Sequence, residues 1–476
     1  MRKYLLPMMC LLLASTATAQ KALHVKAITE VFGDGQQVTA VAVKYDKSMD
    51  GKKLTPAMFK VDEIVPPQLR PKGRTIPTEP VVEARKVEKV YTNDVPEKAT
   101  ASKKGPYVIL ELVKTYHYLP AFNPPAQHSS DTANKDGKTD DSVKSDGNGG
   151  PVAGSRPKPC MPLRAKILAS YKGITKIADF KAEVEQLKTI KAADGSKIAP
   201  FSRVSDEVEN LIVDDFVQKE YYDRLSGIKM AYNLFVPKNY DPSKKYPLVL
   251  FMPDATVTGM ETTRTLTQGI GATIWASPEE QAKHPCFVLA PDYTQQIIND
   301  DWETNEYMDA TVNLIRDLQK EYSINGNKLY TTGQSGGCML SFAMDHKYPD
   351  LFAASLLMAG KWDSTRVENF KNAKMWMFCS MGDLGAYPSM NSITSELEKM
   401  GVKVSKAVWN GRSTQAEFNK LGAEMDKEGA NIRYVMFTKY SVFPDDEHID
   451  GMEHLQTWRV SYTIECARDW LFRQSK

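Results

Sequence analysis

From residue 211 to the end of the chain, short apolar runs alternate with stretches of helical spacing, and this rhythm restricts the fold more than any other feature. Residues 247–252, 286–290, 329–332, 353–358 and 375–380 are predominantly apolar and carry no charge, as expected of strands covered on both faces. Residues 307–322 place Met308, Val312, Ile315 and Leu318 at the spacing of a helix laid on a sheet. Alternating strands and helices predict a mostly parallel sheet flanked by helices, and residues 211–476 are the right length for one such domain.

The preceding half follows a different rule. Residues 22–31 and 37–45 are rich in Val, Ile and Thr and flank Phe32-Gly33-Asp34-Gly35-Gln36, a hairpin signal. Residues 58–61, 81–91, 107–118, 163–171 and 184–191 read as further strands, and the prolines of residues 62–80 exclude a regular helix there. Only residues 174–187 hint at helical spacing. Residues 20–210 therefore predict an all-β, Ig-like sandwich without the Cys and Trp framework of antibody domains. Residues 123–159 are Asp, Lys, Ser, Gly and Pro with few apolar side chains, and read as a disordered insertion. Asn134, Asp136 and Gly137 fall short of a calcium loop, because Thr132 and Val143 stand where carboxylates are wanted.

Composition narrows the partners. With 42% hydrophobic and 25% charged residues the chain reads as globular. Arg2 and Lys3, an apolar run over residues 4–14, and Ala17-Thr18-Ala19 before Gln20 form an export signal cut after Ala19, so residues 1–19 are expected to be removed. The run is too short to span a bilayer, and no membrane anchor is expected. Loss of Arg2 and Lys3 brings 61 basic side chains to parity with 59 acidic ones, leaving no excess charge for nucleic acid. Cys160, Cys286, Cys338, Cys379 and Cys466 remain, with room for one disulfide but no metal-ligand spacing, so no metal or other cofactor is expected.

The chemistry centres on Gly333-Gln334-Ser335-Gly336-Gly337, which joins a strand-like run to a segment of helical spacing. In Gly-x-Ser-x-Gly the glycines permit a sharp turn that lifts the serine above the sheet edge, and the amide of Gly336 opens a helix, where an oxyanion is favoured. A serine hydroxyl needs an imidazole to take its proton and a carboxylate to orient that imidazole. In a parallel-sheet hydrolase the acid follows a later strand and the base lies in the last loop. Asp383, in Met381-Gly382-Asp383-Leu384-Gly385, fits the acid, with Asp363 as the substitute. His454, before an expected closing helix over residues 457–472, fits the base better than His448, which sits among Asp445, Asp446 and Glu447. His284 and His346 read as structural. The second oxyanion donor falls in Pro253-Asp254-Ala255, as the amide of Asp254 or of Ala255, since Pro253 has no N–H. Trp275, Trp302, Tyr387 and Trp409 are candidates for pocket walls or for core.

With these residues in place, residues 211–476 resemble the α/β-hydrolase superfamily, and in particular secreted bacterial esterases of the polyhydroxybutyrate-depolymerase and feruloyl-esterase-like type that carry an Ig-like N-terminal domain. The likeness rests on Tyr232-Asn233-Leu234-Phe235-Val236-Pro237, Tyr246-Pro247-Leu248-Val249-Leu250-Phe251, the Gly333–Gly337 turn, Tyr348-Pro349-Asp350-Leu351-Phe352, His454 with Thr457-Trp458, and Asp469-Trp470-Leu471-Phe472. Tyr45-Asp46-Lys47 through Phe59 is similar to the opening of the family's Ig-like module. The resemblance implies Ser335 as nucleophile, Asp383 as acid and His454 as base of an exported serine carboxylic-ester hydrolase. Its substrate would be a small or polymer-linked ester. Separately, no long flexible hinge lies between Pro200 and Leu211, so the β domain is expected either to restrict the cleft or to build a homo-oligomer. The chain departs from the pattern at Pro253-Asp254, where relatives commonly show His-Gly. Two alternatives follow: a serine peptidase of the prolyl-oligopeptidase type, and a binding protein with a degenerate hydrolase domain.

Overall fold

The computed structural model describes residues 24–67, 79–116, 171, 173–444 and 448–476. The export signal, the insertion at 123–159, residues 163–170 and Cys160 lie outside them.

The N-terminal half is two packed antiparallel sheets. One orders its strands Glu207–Asn210, His24–Phe32, Gly35–Met49, Gly105–Leu112, Val87–Asn93; the other orders Phe201–Val204, Lys181–Gln186, Phe59–Val65, Val81–Arg85. Only the Glu207–Asn210 strand runs parallel to its neighbour. Val41, Val43 and Leu110 of the first sheet meet Phe59, Val61 and Val184 of the second in one buried cluster, as two sheets sharing an apolar interior require. The hint of a helix at 174–187 is overturned. Ala182, Val184 and Gln186 are buried while Lys181 and Glu185 are exposed, a period of two that makes Lys181–Gln186 a strand.

From Val217 a nine-stranded sheet begins, in the spatial order Val217–Tyr222, Lys229–Phe235, Phe287–Pro291, Tyr246–Met252, Ile324–Gln334, Ala354–Met358, Met375–Ser380, Ile432–Phe437, Val404–Trp409. The second strand, Lys229–Phe235, runs antiparallel to both its neighbours, and every other pair is parallel. Its central strands are fully buried, because the helices Glu306–Glu321, Gly336–Lys347, Ala386–Lys399 and Glu465–Arg473 cover them. The expected closing helix is two, Glu453–Ser461 and Glu465–Arg473. At the break, Arg468 Nη1 donates to the Tyr462 carbonyl at 2.6 Å and so pairs an acceptor that the end of the first helix leaves free. Among the described residues no helix is long and apolar enough to cross a membrane.

The two halves meet along polar and backbone contacts, with Val31 of the hairpin packed against the core of the second half. Thr175 N–H donates to Thr262 Oγ1 at 3.2 Å, Thr262 N–H returns to Thr175 Oγ1 at 3.3 Å, and Ile177 N–H donates to Thr263 Oγ1 at 3.0 Å. The hairpin tip at Gly33 lies directly on Arg459 of the Glu453–Ser461 helix, where a side chain at residue 33 would collide with Arg459 Cα.

Candidate active site

The strand Ile324–Gln334 ends at Ser335, and the helix Gly336–Lys347 begins at the next residue. This reversal leaves Ser335 at φ 52° and ψ −120°, a conformation that a non-glycine residue adopts only when its surroundings enforce it. Gly337 supplies part of the enforcement, because a Cβ there would enter the carbonyls of Met252 and Pro253 on the neighbouring loop. Ser335 is partly exposed at the top of the sheet.

Two strands further across the sheet, Met375–Ser380 ends in the loop that carries Asp383. Its Oδ1 accepts the amides of Gly385 and Ala386, each at 2.9 Å, at the start of the Ala386–Lys399 helix. Its Oδ2 lies 2.5 Å from His454 Nδ1. Burial alone pushes the Asp383 carboxyl up, but the His454 hydrogen bond and charge, with the two amides, outweigh it and hold the group below the usual carboxylate range. His454 Nε2 lies 2.8 Å from Ser335 Oγ, so the imidazole bridges hydroxyl and carboxylate.

The Glu453–Ser461 helix begins four residues before the start expected at 457, so His454 falls in its first turn instead of preceding it. Glu453, overlooked in the sequence, fixes that turn. It is 1% exposed, Ser380 Oγ donates to its Oε2, and Tyr440 N–H donates to the same oxygen at 3.1 Å. The residue before His454 is thereby tied to the strand end that leads to Asp383. The signal was a carboxylate adjoining the histidine in a segment otherwise destined for burial.

At the oxyanion side, Gly336 occupies the first helical position, where its N–H has no partner one turn back. The Ala255 nitrogen lies 3.4 Å from where a Gly336 Cβ would stand, so of the two residues offered by the sequence Ala255 brings its amide against Gly336. Asp254 contributes a side chain instead. Its Oδ1 accepts the Thr256 amide at 2.7 Å and its Oδ2 accepts Gln334 Nε2 at 2.9 Å.

The remaining candidates lie elsewhere. Asp363 caps its own turn through Thr365, and His448 stacks on Tyr440 with ring centroids 3.8 Å apart. His284 meets Asp469 at 2.9 Å and stacks on Phe472, while His346 packs against Trp362 and Phe370. Trp275 and Trp409 are core, wedged against Phe472 and against Trp376, Phe378 and Phe418 respectively. Trp302 and Tyr387 are partly exposed. Cys286, Cys338, Cys379 and Cys466 are free thiols.

Fold and constellation together define an α/β-hydrolase-type domain preceded by an Ig-like sandwich. Residues 24–199 match the family model described as the esterase Ig-like N-terminal domain. A crystal structure of a thermostable esterase is similar over 95% of this chain and 100% of that one, with a TM-score of 0.67 and 26% identity. A probable acetylxylan esterase A of Aspergillus clavatus is 30% identical over 80 residues, which are 17% of this chain. The match spans only 26% of that curated relative's length. These likenesses support a carboxylic ester hydrolase.

Proposed function

We propose that the protein is an exported serine esterase that works through an acyl-enzyme. One observation carries the reading: the hydrogen-bonded series Ser335, His454, Asp383, set beside the amides of Gly336 and Ala255. In this mechanism Ser335 Oγ attacks the ester carbonyl as His454 Nε2 accepts its proton. The carbonyl oxygen takes up negative charge between the two amides. Collapse breaks the bond to the alcohol oxygen, which leaves with the proton from His454. Water then repeats the sequence and releases the carboxylic acid. Asp383 holds the Nδ1–H tautomer and stabilises the imidazolium while it exists.

The His454 side chain is 32% exposed, so the site is open to esters borne on a larger body. This and the likeness to an acetylxylan esterase favour a short acyl group on a polymer or sugar alcohol. Export is proposed from residues 1–19, and self-association is proposed as a role of the β domain.

Turnover of p-nitrophenyl acetate should fall by about 10³-fold or more in Ser335→Ala. Wild-type turnover in that variant would overturn the mechanism. A panel of acyl lengths, acetylated sugars, feruloyl esters and peptides reports the substrate class. A mature N-terminus at Gln20 in the exported fraction, read by mass spectrometry, tests the leader, and light scattering gives the assembly.

A further inference from the structure

The departure at Pro253-Asp254 is where this chain differs from the pattern it resembles, and the structure gives the departure a purpose. Asp254 is 4% exposed and stands at the N-cap of the single turn Ala255–Val257. One carboxylate oxygen holds the amide of Thr256, the residue after the oxyanion donor Ala255. The other holds the side chain of Gln334, the residue before the nucleophile, which is fully buried. A single rigid group thus spans the two loops whose amides would receive the oxyanion. The Gln334 carboxamide also reaches Gln268 Oε1 at 3.5 Å, so the bridge continues into the segment that the β domain contacts through Thr262 and Thr263.

A buried carboxylate needs compensation, and two kinds are present. Both oxygens accept hydrogen bonds. The half-buried Arg264 lies within electrostatic reach: burial pulls its pKa down, against the opposing pull of the Glu261 and Asp254 carboxylates. Bonds to an ionised acceptor are shorter and stronger than neutral ones, so a carboxylate at this position fixes geometry better than an amide would.

We propose that Asp254 is a positioning residue for the oxyanion site, a clamp that sets the separation between the Gly336 and Ala255 amides by joining Gln334 to the turn that begins at Ala255. The proposal rests on the esterase reading above. It predicts a defect in transition-state stabilisation rather than in substrate capture, because the clamp touches neither the triad nor the solvent-facing cleft.

The test compares Asp254→Ala, Asp254→Asn and the double variant Asp254→Asn with Gln334→Glu, all as full-length protein. In Asp254→Ala, kcat should fall by roughly 10- to 100-fold with KM within about threefold, less than the 10²- to 10³-fold typical of losing an oxyanion donor outright. Affinity for a phenylboronic acid, whose tetrahedral adduct places an oxygen in the same hole, should fall in step with kcat/KM. The double variant restores the bridge with donor and acceptor exchanged, and should recover a large part of the kcat lost in Asp254→Asn. If Asp254→Ala does not fold, the Asp254→Asn pair carries the test alone. Wild-type kcat and boronate affinity in Asp254→Ala or Asp254→Asn overturn the clamp, as does a loss confined to KM or no recovery in the double variant. Ser335→Ala separates the two readings: if it retains turnover the esterase mechanism fails, whereas an inactive Ser335→Ala beside a fully active Asp254→Ala sinks the clamp alone.

Discussion

Asp345 lies within the nucleophile helix, with Ser355 Oγ donating to its Oδ2 at 2.8 Å, and burial pushes its carboxyl up to about 7. An unfolded aspartate ionises near pH 3.9. Between those values the folded chain binds more protons than the unfolded one, so this group's contribution is complete below about pH 4 and is lost as pH rises through about 7. The loss is on the order of 4 kcal/mol. Asp345→Asn removes it, and urea unfolding should show the variant more stable than wild type at pH 8 with no such gain at pH 4. Asp383 runs the opposite way: its depressed pKa contributes stability at neutral pH that is lost on acidification. At this scale the sequence revealed what strand order dictates. Ser335, Asp383 and His454 each follow a strand end or open a helix, and their neighbourhood is legible from that order. Glu453, Gln334 and the Asp254 carboxylate were not legible, because nothing in a linear pattern says where a buried polar side chain points.

The turn at Ser335 depends on how closely two elements approach. Gly337 lies against the carbonyls of Met252 and Pro253, which are backbone and cannot swing aside. Gly337→Ala should cost on the order of 1–3 kcal/mol in urea unfolding, the usual penalty of overpacking, and should lower kcat by at least about tenfold as the turn shifts. The elements that escaped sequence reading have ordinary reasons. Val404–Trp409 is an edge strand interrupted by Ser405 and Lys406, so its apolar pattern is diluted. Gln415–Glu428 announces itself only through the Thr414/Glu417 capping box and ends at Gly429 in a left-handed conformation. The hint of a helix at 174–187 failed because alternation over six residues is easily mistaken for the start of a longer period.

Across the whole molecule, the β domain contacts the catalytic domain near two parts of the site. Its hairpin tip presses Gly33 onto Arg459, about one and a half turns after His454. Its Thr175–Ile177 segment holds the loop that contains Arg264 and Gln268. Gly33→Val should therefore lower the calorimetric Tm by a few degrees, consistent with overpacking. It should also lower kcat although no part of the substitution lies in the cleft. An unchanged kcat would show the contact to be purely cohesive. The division into two domains was plain from the switch in hydrophobic rhythm, whereas the join was not, since backbone groups, threonine hydroxyls and Val31 make it without a distinctive apolar pattern. Glu453 carries a last consequence. By receiving both Ser380 and the amide of Tyr440, it closes the base of the final loop, so that the loop's start, the base and the acid's strand are fastened at one point. Residues 448–450, beyond that knot, are exposed, and substitutions there should leave the proton relay undisturbed. They are the natural place to graft a new rim when redesigning which esters reach Ser335.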